Sequence, residues 1–223
     1  MLGIGEKLRN ARIKQNLSLR ELASMTDVSA SLLSQIENEK ANPSVRTLHS
    51  LADALALPVD YFFPERKQDI SRSEEHASAV RSSLTASQAR MQQVAAALED
   101  ESDVQALLPG EGPTESPILR ARDRPTIELQ GNVTWARLTP DKEQDLEFME
   151  ICYAPGASSG ARMSHHKGRE FVLVLSGMLT LELGFEVYTL NVGDSTLFDS
   201  ETPHRLSNSG DQSMRALSVI LQQ

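Results

Sequence analysis

Apolar side chains recur at helical spacing through the first 66 residues, separated by polar residues that suit helix ends. Ser18 and Glu21 form a capping box before a second predicted helix, which follows one near residues 5–15. Ser29 and Ser44 are favourable N-caps for a third and a fourth helix, and Pro58 begins a short fifth. The pattern therefore predicts an N-terminal domain of five short helices.

The third predicted helix has an unusual polar side. Its apolar residues are predicted to face the core: Leu32, Leu33 and Ile36. Its other residues are short and uncharged, and face outward: Ala30, Ser31, Ser34 and Gln35. A helix that only contacts water more often carries Lys and Glu, whereas such a face can enter a DNA major groove, where Gln suits adenine. We therefore predict a DNA-reading helix.

Residues 67–117 differ in composition from the segments on either side. They begin polar, become rich in Ala and Gln, and end in the turn-rich run PGEGPTESP. Thr85 and Gln88 form another capping box, and Leu84, Met91 and Val94 are spaced roughly as in a heptad. This predicts a partly helical linker whose apolar stripe pairs with a sister chain or, alternatively, stays loosely docked.

From about residue 118 the pattern changes to short strands punctuated by Gly, Pro, Asn and Asp, which indicates an antiparallel barrel or sandwich. The predicted strand segments are TIELQ, VTWARLT, LEFMEICYA, EFVLVLSG, MLTLELG, EVYTLNVG, STLFDS and ALSVILQ. The predicted organisation is thus multidomain, α followed by all-β: a helical domain at 1–66, a linker at 67–117 and a β-barrel at 118–223.

Composition narrows the classes of function. The net charge is −9, but residues 1–66 hold eight Lys and Arg against eight Asp and Glu, so the rest of the chain carries the negative charge. No run approaches the roughly 18 apolar residues that a membrane span needs, so we expect a cytoplasmic protein. Cys152 is the single cysteine, which excludes an intrachain disulfide and fits a reducing compartment.

The N-terminal motifs SLRELA, SASLLSQIE, NEKANP and LADAL occur in the order typical of the Xre family, and this segment resembles that phage-repressor type of helix-turn-helix over about 60 residues. The resemblance implies binding as a homodimer to double-stranded DNA at a palindromic operator. It implies base contacts by Ala30, Ser31, Ser34 and Gln35. The resemblance also implies that six residues lie near DNA phosphates: Arg20, Ser29, Asn38, Lys40, Asn42 and Arg46. Glu39 departs from the glycine common in the family, and Glu37 is expected to be a buried partner of Arg12 or Arg20.

The C-terminal segment resembles the cupin family over about 105 residues, through PGASSGARMSHHKGREFVLVLSGMLTLELG and VGDSTLFDSETPHRLSN. Cupin metal sites use an H-x-H pair, a Glu and a distant His. Here Ser164 stands at the first His position, and His165 points the opposite way from its neighbour in an extended strand. The resemblance leaves His166, Glu170 and His204 as candidate ligands for Zn, Fe, Ni or Mn.

Alternatively, the same polar groups bind an organic ligand or form a hydrogen-bond network without metal. Arg162, Arg169 and Arg205 could pair with a carboxylate or phosphate of such a ligand, and Tyr153 could line its pocket. Each arginine also fits an ordinary exposed surface position.

Together the two resemblances imply a sequence-specific transcriptional regulator, a repressor, whose cupin domain binds a small-molecule effector. The alternative is a cupin metalloenzyme similar to the non-haem iron epoxidases, which share this layout and a His-x3-Glu plus His site. The polar face of the third helix favours the regulator, because an enzyme has no need for it. We therefore expect no catalytic residues.

Overall fold

The structure is a computed structural model that describes residues 3–64, 118–143 and 145–222. Met1–Pro64 and Leu119–Gln223 belong to one compact unit, in which we call residues 3–64 the helical part and residues 119–222 the β part. The predicted linker helix with its capping box at Thr85 and Gln88 lies outside the described residues. The predicted domain boundaries stay a prediction.

The helical part contains four α-helices within its described residues. They are α1 (Ile4–Lys14), α2 (Leu19–Met25), α3 (Ala30–Glu37) and α4 (Val45–Ala54). The predicted caps are confirmed: Ser18 and Glu21 form the capping box of α2, and the side chains of Ser29 and Ser44 accept backbone N–H bonds at the starts of α3 and α4.

The predicted short fifth helix is present as a 3-10 turn and not as an α-helix, so the helical part has four α-helices where five helices were predicted. Val59–Phe62 forms one turn of 3-10 helix, η1, between Pro58 and Pro64. The residue before a proline is disfavoured in the α conformation, so the interval between the two prolines is too short to establish repeated i to i+4 hydrogen bonds. The turn still buries Phe62, as the aromatic run at this position predicts.

Fully buried leucines hold the helical part together, and a charged pair joins α1 to α3. The leucines at 0% exposure are Leu8, Leu22, Leu33, Leu48 and Leu51. Arg12 donates from Nε and Nη2 to the two carboxylate oxygens of Glu37, at 2.6 and 2.8 Å. The prediction that Glu37 is a buried structural partner is therefore confirmed, with Arg12 as the partner.

The β part contains a short 3-10 helix, η2 (Ala121–Asp123), and nine strands among its described residues. The strands are β1 (Thr126–Leu129), β2 (Val133–Arg137), β3 (Leu146–Tyr153), β4 (Arg169–Ser176), β5 (Leu179–Leu183), β6 (Glu186–Leu190), β7 (Ser195–Asp199), β8 (His204–Ser207) and β9 (Met214–Leu221). All eight predicted segments contain a strand. The unpredicted one is β8, whose four residues are too few and too polar to stand out.

The strands form two antiparallel sheets that do not close into the predicted β-barrel. One sheet has the order β1-β2-β3-β9-β4-β7, and the other has the order β6-β5-β8. Only isolated bridges, Ser158 with Ser207 and Ser164 with His204, extend the pairing at β8. Hydrophobic alternation locates strands but does not select their partners, so closure could not be predicted from it. The arrangement remains cupin-like.

Within the described ranges, no helix is long and apolar enough to cross a membrane.

Candidate DNA-reading face and cupin site

The outward face of α3 is available to a partner. Ser31 and Gln35 are exposed, and Ala30 and Ser34 are partly exposed. The Ser29 hydroxyl accepts the Leu32 N–H at 3.2 Å, which fixes the start of the helix. This face therefore offers one amide and two hydroxyls without any long charged side chain.

Most of the residues predicted to lie near phosphates have exposed side chains, namely Arg20, Ser29, Asn38, Lys40 and Asn42. Asn38 Nδ2 also donates to the Ser34 carbonyl oxygen at 2.6 Å, across the C-terminal turn of α3. Arg46 is different, because its Nη2 donates to Asp27 Oδ2 at 2.8 Å. Its guanidinium would have to share or leave that carboxylate to reach DNA.

The three candidate metal ligands come together in the β part. His166 lies in the loop before β4, Glu170 on β4, and His204 at the start of β8. His166 Nε2 is 3.7 Å and His204 Nε2 is 3.9 Å from Glu170 Oε2, and one ligand atom from each residue lies within 4.8 Å of the others. All three residues are buried, whereas His165 is exposed. The two side chains differ as predicted, although His165 and His166 lie in a loop and not in the strand that the prediction assumed.

The backbone orients both imidazoles toward Glu170. His166 Nδ1 lies 3.0 Å from the Lys167 carbonyl oxygen, and His204 Nδ1 lies 2.9 Å from the Thr202 carbonyl oxygen. Each Nδ1 therefore donates to a carbonyl and leaves Nε2 as the free ligating atom, which is the usual arrangement of metal-binding histidines. Two atoms bound to one ion at about 2.0–2.2 Å are at most about 4.4 Å apart, so both distances to Glu170 fit a metal.

Burial and the Glu170 charge shift the pKa values of the two imidazoles in opposite directions. Burial lowers the pKa of His166, but the hydrogen bond and charge of Glu170 outweigh it, so the pKa of His166 is raised. Burial dominates at His204, where the pKa is lowered despite the same carboxylate. Glu170 is itself oriented by Ser218, whose hydroxyl donates to Oε1 at 3.0 Å.

A cavity of about 20 Å³ lies over these ligands. Its wall includes Ser164, which occupies the first His position of the cupin motif, and Tyr153. Burial, and then the Glu170 carboxylate, raise the pKa of Tyr153, so its hydroxyl stays protonated. Trp135 Nε1 is buried in this wall and faces the Tyr153 hydroxyl, whose pKa it lowers in part.

Two family models match the chain: a helix-turn-helix over residues 8–62 and a cupin domain over residues 149–220. Transcriptional regulator ClgR of Mycobacterium tuberculosis is 34% identical over 76 residues, which are 34% of this chain and 68% of ClgR. HTH-type transcriptional regulator PuuR of Escherichia coli is 24% identical over 98% of this chain and 94% of its own. The chain belongs to the helix-turn-helix transcriptional regulators.

An HTH_3 family transcriptional regulator from Vibrio cholerae has the same fold as this regulator, with a TM-score of 0.58 and 20% identity over 99% of this chain and 95% of that one. The curated sequence relatives PuuR and SutR match nearly the whole length of the chain, and both are transcriptional regulators. They support the regulator predicted from the sequence over its alternative, the metalloenzyme.

Of the predicted ligand contacts in this regulator, only Tyr153 lies in the cavity wall. The Arg162 side chain is 78% exposed, with Nη1 3.9 Å from Asp27, and Arg169 is exposed on the surface. Arg205 is paired with Glu182 on β5. The structure does not bring the three arginines together around the cavity.

The sequence analysis missed the helical side of this site. His49 of α4 is 6% exposed, and its ring stacks on His166 with centroids 4.2 Å apart and planes 6° apart. The same ring meets Trp135 edge-on, with centroids 5.6 Å apart. Burial, and then the neighbouring histidines, hold the pKa of His49 well below its ordinary value. The one available signal was a histidine four residues after Val45 in an otherwise apolar stripe.

Proposed function

We propose that this regulator is a cytoplasmic repressor that binds a palindromic operator as a homodimer, and that its cupin part binds a small-molecule effector beside His166, Glu170 and His204. The family supports the general class, and the site supports the finer assignment. In this proposal, Gln35 and its neighbours on α3 read base edges, while Arg20, Lys40 and Asn42 position the helix on the phosphates.

The observation that carries the proposal is the exposed face of α3. Its side chains are short and uncharged, three of the four can form hydrogen bonds, and exposed groups that suit phosphate contacts precede and follow it in the chain. In a major groove, a Gln amide can make a bidentate contact with adenine, and an Ala methyl or Ser methylene can contact a thymine methyl. The overall charge of −9 does not oppose this, because residues 1–66 are neutral.

The test is selection of duplexes from a random library by the full-length protein, followed by titration of the selected site. We expect a palindromic site with a Kd of about 10⁻⁸ M or tighter at physiological salt. Gln35→Ala should lose about 1–3 kcal/mol of discrimination at one base position of each half-site. A protein that binds every duplex equally at low salt would refute the proposal.

Two lysines provide a matched comparison for the phosphate contacts. Lys40 follows α3 and is exposed beside the reading face, whereas Lys14 is exposed at the end of α1. Lys40→Ala should weaken binding to all sequences alike and reduce the salt slope by about one ion. Lys14→Ala removes the same charge and should leave the salt slope unchanged. Equal effects of both changes would mean that only net charge matters.

We propose that the three-residue cluster can hold one divalent ion, with Zn, Fe, Ni and Mn all compatible with two imidazoles and one carboxylate. The test is the metal content of the purified full-length protein after dialysis against each ion. His166→Ala should abolish uptake, and His165→Ala should retain it, because the exposed His165 lies outside the cluster. Metal retained by His166→Ala would show that other residues bind it.

A further inference from the structure

Helix α4 of the helical part closes the cupin site of the β part. Val45 and His49 of this helix line the same cavity as His166, Glu170 and His204. The His49 ring lies flat on the His166 ring and has its edge against Trp135. The effector site in this arrangement is therefore built by both parts of the chain.

The enclosed space is too small for an organic effector. A cavity of about 20 Å³ holds one water-sized group or an ion, whereas small-molecule sites in proteins are typically about 300–1,000 Å³. The His49 imidazole covers one face of the His166 ring. An organic ligand that reaches His166 must first remove that ring.

Other contacts hold α4 in this position. The Arg46 amide donates to the Ser159 carbonyl oxygen at 3.1 Å, and Ser159 belongs to the cavity wall. In the preceding loop, the Pro43 carbonyl oxygen accepts the Gln130 N–H at 2.9 Å. The start of α4 is thus tied to the β part, while the reading face of α3 remains exposed. The closed arrangement is compatible with DNA binding.

We propose that His49 is an internal occupant of the effector site, and that an effector takes its place on His166 and so displaces α4 from the β part. The inference rests on the proposed function, since it concerns the same effector. The class of ligand follows from what His49 occupies: a compact molecule with a flat ring or planar group to stack on His166. Effector binding and docking of the helical part exclude each other.

Imidazole is the probe for this site, at pH 8 where it is largely neutral, with EDTA present so that metal does not contribute. Trp135 is the only tryptophan of the chain and lines the cavity, so its fluorescence reports on ligand binding there. Imidazole should bind the wild type weakly, because it competes with His49. His49→Ala should bind imidazole at least tenfold more tightly. Val45→Ala is the control: it enlarges the same cavity but leaves His49 stacked on His166, so imidazole binding should not tighten.

A disulfide tests whether the helix must leave. A Cβ built on Gly160 would lie 3.3 Å from the Arg46 Cβ, close to the 3.5–4.5 Å of disulfide-bonded residues. In a Cys152→Ser background, Arg46→Cys with Gly160→Cys should oxidise readily and lock α4 in place. The locked protein should show no imidazole response, and the same protein after reduction should regain the wild-type response.

Three results would overturn the inference: equal imidazole binding by the oxidised and reduced proteins, no gain in His49→Ala, or failure of the cysteine pair to oxidise in the folded chain. The comparison of His49→Ala with Val45→Ala does not depend on the disulfide. None of these measurements involves DNA, so a failure of operator selection would reject the proposed function while leaving the imidazole result intact.

Discussion

The buried pair of Asp60 and Arg137 should control docking of the helical part on the β part. Arg137 Nη1 of β2 lies 3.2 and 3.1 Å from the two carboxylate oxygens of Asp60 in η1. The side chains are only 3% and 7% exposed. Asp60→Ala would leave the guanidinium buried without this counterion, and removing one partner of such a pair typically costs about 3–5 kcal/mol.

That cost is a large share of the roughly 5–15 kcal/mol that stabilises a typical domain. For a chain of this size it corresponds to a fall in Tm of very roughly 6–20 °C. Undocking of the two parts costs less free energy than unfolding, however, because it returns Arg137 to water. We therefore expect Asp60→Ala to undock α4 and η1 before either part unfolds.

The assay is urea denaturation followed by far-UV circular dichroism and by Trp135 fluorescence, with acrylamide quenching in the absence of urea. In Asp60→Ala, quenching of Trp135 should rise severalfold and the fluorescence transition should precede the loss of secondary structure. The matched control is Asp123→Ala, which breaks an exposed pair with Arg122 that is worth at most about 1 kcal/mol.

Replacing both members of the Asp60–Arg137 pair by apolar residues should restore docking of the helical part on the β part. Asp60→Leu together with Arg137→Met replaces the charged pair by apolar groups and should recover most of the lost stability, since such replacements are often neutral or better. If Asp60→Ala instead stays within 1 kcal/mol of the wild type and Trp135 remains protected, the pair does not hold the two parts together and the reasoning is refuted.

Two further predictions concern stability. Burial raises the pKa of Glu147 from 4.5 to about 7. The contribution of Glu147 to the free energy of unfolding is therefore fully present below about pH 4.5 and is lost as pH rises through 7. Glu147→Gln should therefore gain on the order of 3 kcal/mol relative to the wild type between pH 5 and pH 8 in urea titrations; a constant difference across this range would contradict the shift. Glu39 has a φ of 56°, where a side chain is strained, so Glu39→Gly should raise the unfolding free energy by about 0.5–1 kcal/mol, and a lower Tm would count against it.

Local features of the fold could be predicted because their causes lie close together in the sequence. The Ser18–Glu21 capping box and the serine caps of α3 and α4 each involve residues within one turn, and their side chains have few alternative roles. Glu39 illustrates the same point, since the family preference for glycine matches the left-handed backbone found there. Strands were predicted equally well, except the short β8.

Features that join distant segments could not be predicted. His49 meets His166 across 117 positions, and Asp60 meets Arg137 across 77, so no local pattern identifies either pair. Each residue also has an unremarkable explanation alone: a histidine in a helix stripe, or an acid near a helix start. The cluster of His166, Glu170 and His204 was predicted because the cupin motifs specify the distant pairing that spacing alone does not.

The dual role of α4 restricts how this protein can be rearranged by engineering or recombination. One side of the helix packs in the helical core through Leu48 and Leu51, and the other is covered by the β part through Val45 and His49. A fragment ending at residue 64 would present that second side and the carboxylate of Asp60 to water. Replacing the β part by a different domain would accordingly require redesign of α4 and η1, not merely a suitable fusion point.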